Sequence, residues 1–537
     1  MALHGRASRT IEQEGLWLIG LLGAGAAAYA YLFVAPLLFY GDNYAYLLLG
    51  RAWSMGLGHV SIWTGVLEPH AQYPPGYPML IGALTAVGLG SVTALKLTNG
   101  VLLAASVGLL YGWSARVLAD RRVALLACAF VAFNVALLRF ASLVMSEVPF
   151  IAATLLAFYA LARSREAGKP LSTDGWFWLA LAATIAAFYI RSVGVALALA
   201  LGAGFAADRQ WRRAVVAGGV TFAAWVPWWW RGRALDGDYS KYFASAGEPG
   251  DAQATVAALA GRVAGNVERY LTGSFLEAMA PSLQPVMDLS PDLAAVLSAV
   301  LLILAGVGWR YLKAGHAVVA VYIGMTTLVY LIWPVHWNTY RFVLPTVPLL
   351  TVLATWGGLV AAGRVVRTPD GTPRAPGTPA PILVALPVLL LVLPGLYVGK
   401  RWDGRHPSTL ESRHRQAVEW LQTHVPENGP RLAASREATL YYLAGRHTAM
   451  PRIGRTAEET IQMMREDGFG FVLVSTNAAS HPMQTYLVPI IEAHPEQFEL
   501  LESLRRPAVK EGAYPFYTAL YRILPEPEAD EAAAYGP

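Results

Sequence analysis

Long apolar runs alternate with short arginine-bearing segments along the first 400 residues of the chain. The first run, Leu16–Phe39, has about 24 mostly apolar residues, enough to cross the roughly 30 Å of hydrocarbon in a bilayer. Because Arg6 and Arg9 precede this run and no A-x-A-like site closes it, we expect a retained first helix with a cytoplasmic N-terminus. Ten further runs predict spans, which makes about eleven. They lie near residues 93–115, 122–141, 147–163, 175–190, 192–208, 214–231, 294–310, 316–334, 343–362 and 380–399.

The distribution of positive charges agrees with this assignment of spans. Arginine and lysine clusters fall in the loops assigned to the cytoplasm, whereas the opposite turns hold single arginines, as the positive-inside rule requires. The clusters include Arg116, Arg121 and Arg122, and also Arg209, Arg212 and Arg213; the single arginines include Arg139, Arg191 and Arg341. One run, Pro78–Gly90, has only about 13 residues and is too short to span. It predicts a helix on the outer surface.

The same pattern divides the chain into domains. Residues 1–400 form the predicted transmembrane domain, with large outer loops at about 40–92 and 232–291. From about residue 401 the chain is polar, with alternating helical and strand-like runs such as "FGFVLVST". This predicts a soluble α/β domain at 401–525, followed by a disordered acidic tail at 526–537. An odd number of spans places that domain outside the cytoplasm.

Composition supports a membrane protein and excludes other classes. The 537 residues are 55% hydrophobic and 14% charged, with a mean hydropathy of +0.41. The net charge of +5 is spread among loops between apolar runs, so it predicts contact with membrane lipids and no nucleic-acid partner. The single cysteine, Cys128, lies inside an apolar run and excludes a disulfide framework.

Ionisable residues gather at the predicted outer ends of the spans. Asp42 stands in "FYGDNYAYLLLGRAW", Glu147 in "MSEVPF", Arg191 in "FYIRSVG" and Arg341 in "HWNTYRFVLP". Such groups are costly near hydrocarbon and mark a site. A carboxylate can accept a nucleophile's proton, and guanidinium groups can hold a phosphate carried on a lipid. The competing interpretations are a solvated interface residue for Asp42 and a snorkelling anchor for Arg341.

These motifs also resemble a known family. "GDNYAYLLLGRAW", "YPPGYPML", "MSEVPF" and "YRFVLPTVPLL", in this order over residues 10–400, resemble the GT-C glycosyltransferases. The likeness is strongest to bacterial proteins similar to the aminoarabinose transferase of lipid A and to the protein O-mannosyltransferases. It implies an enzyme of the inner or plasma membrane that takes a sugar from a polyprenyl-phosphate donor. The acceptor would be a lipid, glycan or protein outside the cytoplasm.

The resemblance also implies roles for individual residues. Asp42 would be the catalytic base or a sugar ligand, Glu147 the second acid, and Arg341 the arginine near the donor phosphate. Tyr340, beside Arg341, would also bind substrate, and Arg191 and Arg139 are the other phosphate candidates. Many relatives have Lys-Pro-Pro where this chain has Tyr73-Pro74-Pro75, so Tyr73 is expected to stack on sugar or lipid instead, or the two prolines merely stiffen the loop.

Two questions stay open at this point. Glu68 and His70 in "LEPHAQYPP", with His59 upstream, are candidate ligands for a divalent cation, or simply polar loop residues. The alternative function is a multi-span transporter or lipid flippase. A transporter places ionisable groups near the membrane midplane and often has internal repeats. Here the groups gather at one face and the two halves show no symmetry, which favours the enzyme.

Overall fold

A computed structural model describes residues 2–39, 41–235, 252–335, 339–363, 366–367, 373–374, 395–397, 409–426, 429–435, 437–475, 487–505 and 517–525. The helices of the first 400 residues are α1 (Ala2–Leu32), α2 (Asn43–Ser54), α3 (Gly76–Ala86), α4 (Val92–Val117), α5 (Arg121–Ala132), α6 (Val135–Ala141), α7 (Glu147–Ala167), α8 (Gly175–Ile190), α9 (Val195–Ala207), α10 (Trp211–Ala234), α11 (Ala252–Arg269), α12 (Phe275–Met279), α13 (Gln284–Leu289), α14 (Pro291–Arg310), α15 (His316–Ile332) and α16 (Val347–Ala361). Those that follow are α17 (Thr409–His424), α18 (Glu437–Ala444), α19 (Ala457–Glu466) and α20 (Val488–Ala493). The strands are β1 (Val60–Ser61), β2 (Glu68–Pro69), β3 (Val366–Arg367), β4 (Pro373–Arg374), β5 (Arg431–Ala434), β6 (Thr448–Ala449), β7 (Phe469–Ser475), β8 (Phe498–Arg505) and β9 (Tyr517–Ile523).

The chain forms two compact units. The first comprises Met1–Leu37 and His70–Asp403, and the second comprises Leu38–Pro69 and Gly404–Pro537. The predicted first outer loop is therefore shared between the units. Its first half, which carries Asp42, groups with the C-terminal residues, and the sequence did not predict this grouping.

Apolar helices dominate the first unit. Among the described residues, four helices are long and apolar enough to cross a membrane: Gln13–Leu32 within α1, α4, α7 and α14. Five shorter apolar segments of 10–17 residues match the predicted surface helix and four predicted spans; they are α3, α8, Ser192–Ala207, α15 and α16. The predicted span 214–231 lies within α10, which contains Pro227. The span predicted at 380–399 and the tail at 526–537 lie outside the described residues, as do residues 236–251 of the second outer loop.

The predicted span at 122–141 is broken. Helices α5 and α6 bend by 58° relative to each other. Asn134 occupies the N-cap of α6, where its Oδ1 accepts a hydrogen bond from Leu137 N at 3.0 Å. Its Nδ2 donates to the Ala278 carbonyl at 2.8 Å. An asparagine side chain that caps a new helix replaces the backbone hydrogen bonds of the old one, so the apolar run does not form one straight helix.

Helices α14 and α16 cross with their backbones almost in contact. Gly308 and Gly357 lie at the crossing, where a Cβ on either residue would overlap the backbone of the other helix. The atoms in the way are the carbonyl groups of Leu353 and Leu304, respectively. Small residues at helix crossings allow the close packing that membrane helices use in place of a hydrophobic driving force.

A buried lysine fixes the end of α1. Lys96 in α4 is fully buried, and its Nζ donates to the carbonyl oxygens of Val34 at 2.7 Å, Ala35 at 3.3 Å and Pro36 at 2.7 Å. The carbonyl groups that follow a helix end need partners when they are buried. An ammonium group has three donors, so Lys96 satisfies three such carbonyls with one side chain.

The second unit is built on a five-stranded mixed sheet with the order β6-β5-β7-β9-β8. Strand β5 runs parallel to β6 and β7, and β9 pairs antiparallel with both β7 and β8. Alternate residues of the strands face opposite sides. Phe471 and Leu473 join the hydrophobic cluster that contains residues of α17, whereas Val472 and Val474 join the cluster that contains residues of α19. Helix α2 and the ribbon β1–β2 also belong to this unit.

Candidate functional site

Glu147 is the first residue of α7, and its side chain is fully buried. A carboxylate at a helix N-terminus is favoured by the helix dipole. Its Oε1 accepts a hydrogen bond from Arg191 Nη1 at 2.6 Å and another from Arg341 Nε at 3.0 Å. The structure therefore brings three of the predicted site residues together within the first unit. We refer to Glu147, Arg191 and Arg341 as the arginine cluster.

Arg191 reaches the cluster from the end of α8. Its backbone is extended, with φ −147° and ψ 133°, and this ends the helix. The same Nη1 also donates to Ser146 Oγ at 3.0 Å, and the side chain is only 12% exposed. A guanidinium group that is largely removed from water interacts strongly with neighbouring charges, because the local dielectric is low.

Arg341 reaches the cluster from a short 3-10 turn, Tyr340–Phe342, that precedes α16. Its side chain is 17% exposed, and its guanidinium lies 5.6 Å from the centre of the Phe342 ring. Tyr340 is buried and packs edge-on against Phe140, with 5.7 Å between ring centres. The turn thus places Tyr340 against α6 and Arg341 against Glu147.

Both guanidinium groups of the cluster bind the same carboxylate oxygen. Glu147 Oε1 accepts both hydrogen bonds, while Oε2 is buried and makes no hydrogen bond to any described residue. In a site of low dielectric, two neighbouring guanidinium groups attract an anion strongly. Guanidinium groups bind phosphate oxygens especially well because their donors form a planar fork.

Asp42 lies in the second unit. It occupies the N-cap of α2, and its carbonyl accepts a hydrogen bond from Tyr46 N at 3.0 Å. Gly41 before it has φ +58°, a left-handed conformation that glycine adopts without strain. The Asp42 side chain makes no capping hydrogen bond and is half-buried. Since Asp42 and Glu147 belong to different units, their pairing across the active site stays a prediction.

Tyr73 and His70 form a stacked pair in the first unit. Their ring centres are 5.3 Å apart with an angle of 18°, and Tyr73 N donates to His70 Nε2 at 3.1 Å. One face of the Tyr73 ring is therefore covered by His70. Stacking of Tyr73 on sugar or lipid stays a prediction, for which the other face would be used.

A cation site formed by Glu68 and His70 stays a prediction, because the two residues belong to different units. His70 Nε2 accepts a hydrogen bond from Tyr73 N. Glu68 is exposed in β2 of the second unit, and His59 Nδ1 is hydrogen-bonded to Trp53 Nε1 at 3.3 Å. Across the described part of the chain, no three His, Cys, Asp or Glu side chains are arranged to hold a metal ion.

Arg139 lies in the last turn of α6, near Glu277 of α12. Burial raises the pKa of Glu277 to about 7, although the positive charge of Arg139 acts to lower it. Glu277 was not among the predicted site residues. Its signal in the sequence is weak, because a single acid in a polar outer segment usually stays in water.

A second buried ion pair was also missed. Asp174 caps the start of α8 and is fully buried; its Oδ2 accepts hydrogen bonds from Arg213 Nη1 at 2.8 Å and Ser164 Oγ at 2.7 Å. From the sequence, Arg213 was assigned only to the charge pattern of the loops. In the structure it also holds the N-terminus of α8, the helix that carries Arg191 at its other end.

Comparison with known proteins gives a family match over part of the chain. The model of the dolichyl-phosphate-mannose-protein mannosyltransferases matches residues 70–231. This range includes Tyr73, Arg139, Glu147 and Arg191, but neither Asp42 nor Arg341. No curated protein matches the chain by sequence.

Solved structures match nearly the whole chain. ArnT from Cupriavidus metallidurans in the apo state has a TM-score of 0.57 and 13% identity, over 97% of this chain and 99% of that chain. The chain has the GT-C glycosyltransferase fold. The same ArnT bound to undecaprenyl phosphate gives a TM-score of 0.55 at 13% identity, over 95% of this chain and 98% of that one. The resemblance predicted from the sequence motifs is thereby confirmed for the fold.

A more distant GT-C structure matches as well. The oligosaccharyltransferase AglB from Archaeoglobus fulgidus, in complex with an inhibitory peptide and a dolichol-phosphate, has a TM-score of 0.53 and 13% identity. The match covers 95% of this chain and 76% of that chain. The GT-C fold and the apolar helices together indicate an integral membrane protein.

Proposed function

We propose that this GT-C protein transfers a sugar from a polyprenyl-phosphate donor to a lipid, glycan or protein acceptor on the outer face of the membrane. The observation that carries the proposal is the arginine cluster, which gathers two guanidinium groups at the N-terminus of α7 in a protein of this fold. A sugar joined to a lipid through one phosphodiester carries a single negative charge, which guanidinium groups can bind through the phosphate oxygens. The matched structure of ArnT was solved with undecaprenyl phosphate, and that of AglB with a dolichol-phosphate.

The proposed reaction is a single displacement. Asp42 accepts the proton of an acceptor hydroxyl while that oxygen forms a bond to the anomeric carbon of the sugar. The bond from this carbon to the phosphate oxygen breaks, and the polyprenyl phosphate leaves with the electron pair. Because one bond forms as the opposite bond breaks, the configuration of the anomeric carbon inverts. Arg191 and Arg341 stabilise the charge that grows on the leaving phosphate.

In this proposal Glu147 serves the two arginines. A carboxylate between two guanidinium groups reduces their mutual repulsion and fixes where their donors point. Removal of Glu147 would break both ion pairs. Breaking a buried ion pair by removing one partner typically destabilises a protein by about 3–5 kcal/mol. That Glu147 instead orients the acceptor or binds a cation remains a separate prediction.

The test of the proposal is Asp42→Asn. Asparagine has almost the same volume, and the Asp42 side chain makes no capping hydrogen bond that could be lost, so we expect α2 to fold normally. It does not act as a base, so the transfer rate should fall by about 10²–10⁴-fold. Asp120→Asn is the matched control, because Asp120 is also an N-cap, at the start of α5.

The measurement begins with mass spectrometry of glycolipids and glycans from cells with and without the intact gene, which identifies the transferred sugar. Transfer is then followed in membranes, and NMR compares the anomeric configuration of product and donor. Normal transfer by Asp42→Asn, or retention of configuration, contradicts the proposal. A protein that moves lipid or sugar without forming a new glycosidic bond would be a transporter or flippase instead.

A further inference from the structure

The segment that carries Asp42 is packed against the C-terminal residues within the second unit. Helix α2 has only 12 residues, yet nine of them are buried. An isolated helix of this length is marginal in water, so its stability comes from packing. The buried residues are Asn43, Tyr44, Ala45, Tyr46, Leu47, Leu48, Leu49, Gly50 and Ala52.

Helix α18 provides the main contact with α2. The ring of Tyr442 lies 5.1 Å from the ring of Tyr44, centre to centre. The guanidinium of Arg51, about two turns further along α2, lies 5.2 Å from the centre of the same Tyr442 ring. One side chain of α18 therefore contacts α2 at both ends of the helix. Aromatic pairs and cation–π contacts of this geometry are each attractive.

Two further contacts hold the chain on either side of α2. Three residues before Asp42, the Phe39 ring lies 5.1 Å from the ring of His414 in α17, and His414 is almost fully buried. Beyond α2, Thr448 N of β6 donates a hydrogen bond to the Trp63 carbonyl at 2.8 Å. Asp42 thus lies between Phe39 and Tyr44, and both neighbours are anchored to C-terminal helices.

We propose that the C-terminal α/β region positions Asp42 for catalysis, with Tyr442 as the central positioning residue. The inference rests on the proposed function, in which Asp42 is the base. A base must lie within hydrogen-bond reach of the proton that it accepts, and a displacement of about 1 Å can cost about 100-fold in rate. Anchors on both sides of Asp42 restrict such displacement. Donor binding by the arginine cluster uses residues of the first unit and should not depend on Tyr442.

Three variants test this role. Tyr442→Ala removes the ring from both contacts, and we expect transfer to fall by about 10-fold or more. Tyr442→Phe keeps the ring and should stay within about 2-fold of the wild type, since the contacts use the ring face. Trp420→Ala is the matched control, because Trp420 on α17 stacks on His424 and packs against the core of the same region. It should lower the melting temperature with little effect on transfer.

The readouts are the transfer rate in membranes, the melting temperature and the affinity for undecaprenyl phosphate alone. A positioning role predicts a lower rate with an affinity within about 2-fold of the wild type for Tyr442→Ala. Transfer within about 2-fold for this variant overturns the inference, as does an equal loss of transfer in Trp420→Ala. If the Tyr442→Ala protein does not accumulate in the membrane, Arg51→Met replaces it, because Arg51 is exposed and we expect the fold to tolerate its loss. About 3-fold slower transfer is then expected, and an unchanged rate overturns the inference.

Asp42→Asn, measured in parallel, separates the two proposals. If Asp42→Asn is inactive and Tyr442→Ala is active, only the positioning role fails. If Asp42→Asn is active, the proposed base fails, whatever Tyr442 does.

Discussion

At the scale of single residues, the sequence identified the members of the arginine cluster one by one, but not their contact. Arg191 and Arg341 are 44 and 194 positions away from Glu147 in the chain. Each was recognisable because an ionisable group at the end of an apolar run is unusual. That both bind the same carboxylate oxygen depends on how α7, α8 and the turn before α16 pack. No local pattern records that packing.

Arg341→Lys tests the phosphate role of the cluster. Lysine keeps the charge but loses the planar fork, so we expect undecaprenyl phosphate to bind about 5- to 30-fold more weakly. Transfer should fall by at least the same factor. Binding is measured in nanodiscs, with Arg262→Lys as the control, because the Nη1 of Arg262 donates to the Ile332 carbonyl. Unchanged binding and transfer would make Arg341 an interface anchor.

Glu277 predicts a pH-dependent stability. Burial raises its pKa from 4.5 to about 7, so the folded protein binds more protons than the unfolded chain between these values. The contribution of Glu277 to the free energy of unfolding is therefore fully present below about pH 4.5. It declines as the pH rises towards 7, by up to about 3 kcal/mol. The melting temperature in detergent should fall over this range in the wild type. It should fall less in Glu277→Gln, whereas Glu268→Gln, at an exposed acid of α11, should behave as the wild type.

At the scale of elements, helix positions followed the apolar pattern, and departures have specific causes. The predicted span 93–115 lies within α4, and the predicted span 175–190 coincides with α8. The predicted span at 122–141 divides because Asn134 caps α6 and binds the Ala278 carbonyl, 144 residues away. The capping residue is visible in the sequence, whereas its distant partner is not. An apolar run alone therefore predicts the presence of helix better than its continuity.

The crossing of α14 and α16 gives a prediction with an internal control. Gly357→Ala places a methyl group against the Leu304 carbonyl, so the helices must separate. We expect a loss of about 1–3 kcal/mol in stability. Gly358→Ala, at the next position, meets no atom within 4 Å and should be neutral or stabilising by about 0.5–1 kcal/mol. Thermal unfolding of both variants tests this prediction. Equal melting temperatures would contradict the close crossing of α14 and α16.

At the scale of the whole molecule, the membrane orientation is the main prediction that remains. The arginine distribution predicts a cytoplasmic N-terminus and an external C-terminal region. Cys128 is fully buried, so a single introduced cysteine can be labelled selectively after Cys128→Ala. An impermeant maleimide should label Glu419→Cys in intact spheroplasts, because Glu419 is exposed on α17. Arg212→Cys, exposed on α10, should react only after the membrane is permeabilised. Protection of Glu419→Cys would reverse the topology.

The sequence by itself determined the class of the protein and most of its helices. Hydrophobicity and helical length are summed over neighbouring residues, so they can be read along the chain without knowledge of the fold. The motif order also led to the GT-C resemblance, which the matched structures confirm for the fold.

Only the tertiary structure decided which distant residues meet. It joined two arginines to Glu147, bent the chain at Asn134, used Lys96 to hold the end of α1, and grouped the Asp42 segment with the C-terminal sheet. Each of these arrangements satisfies a buried charge, a buried backbone group or an unpacked helix face with a partner far away in the chain. The need for a partner is local and visible in the sequence, but the choice of partner is made by packing.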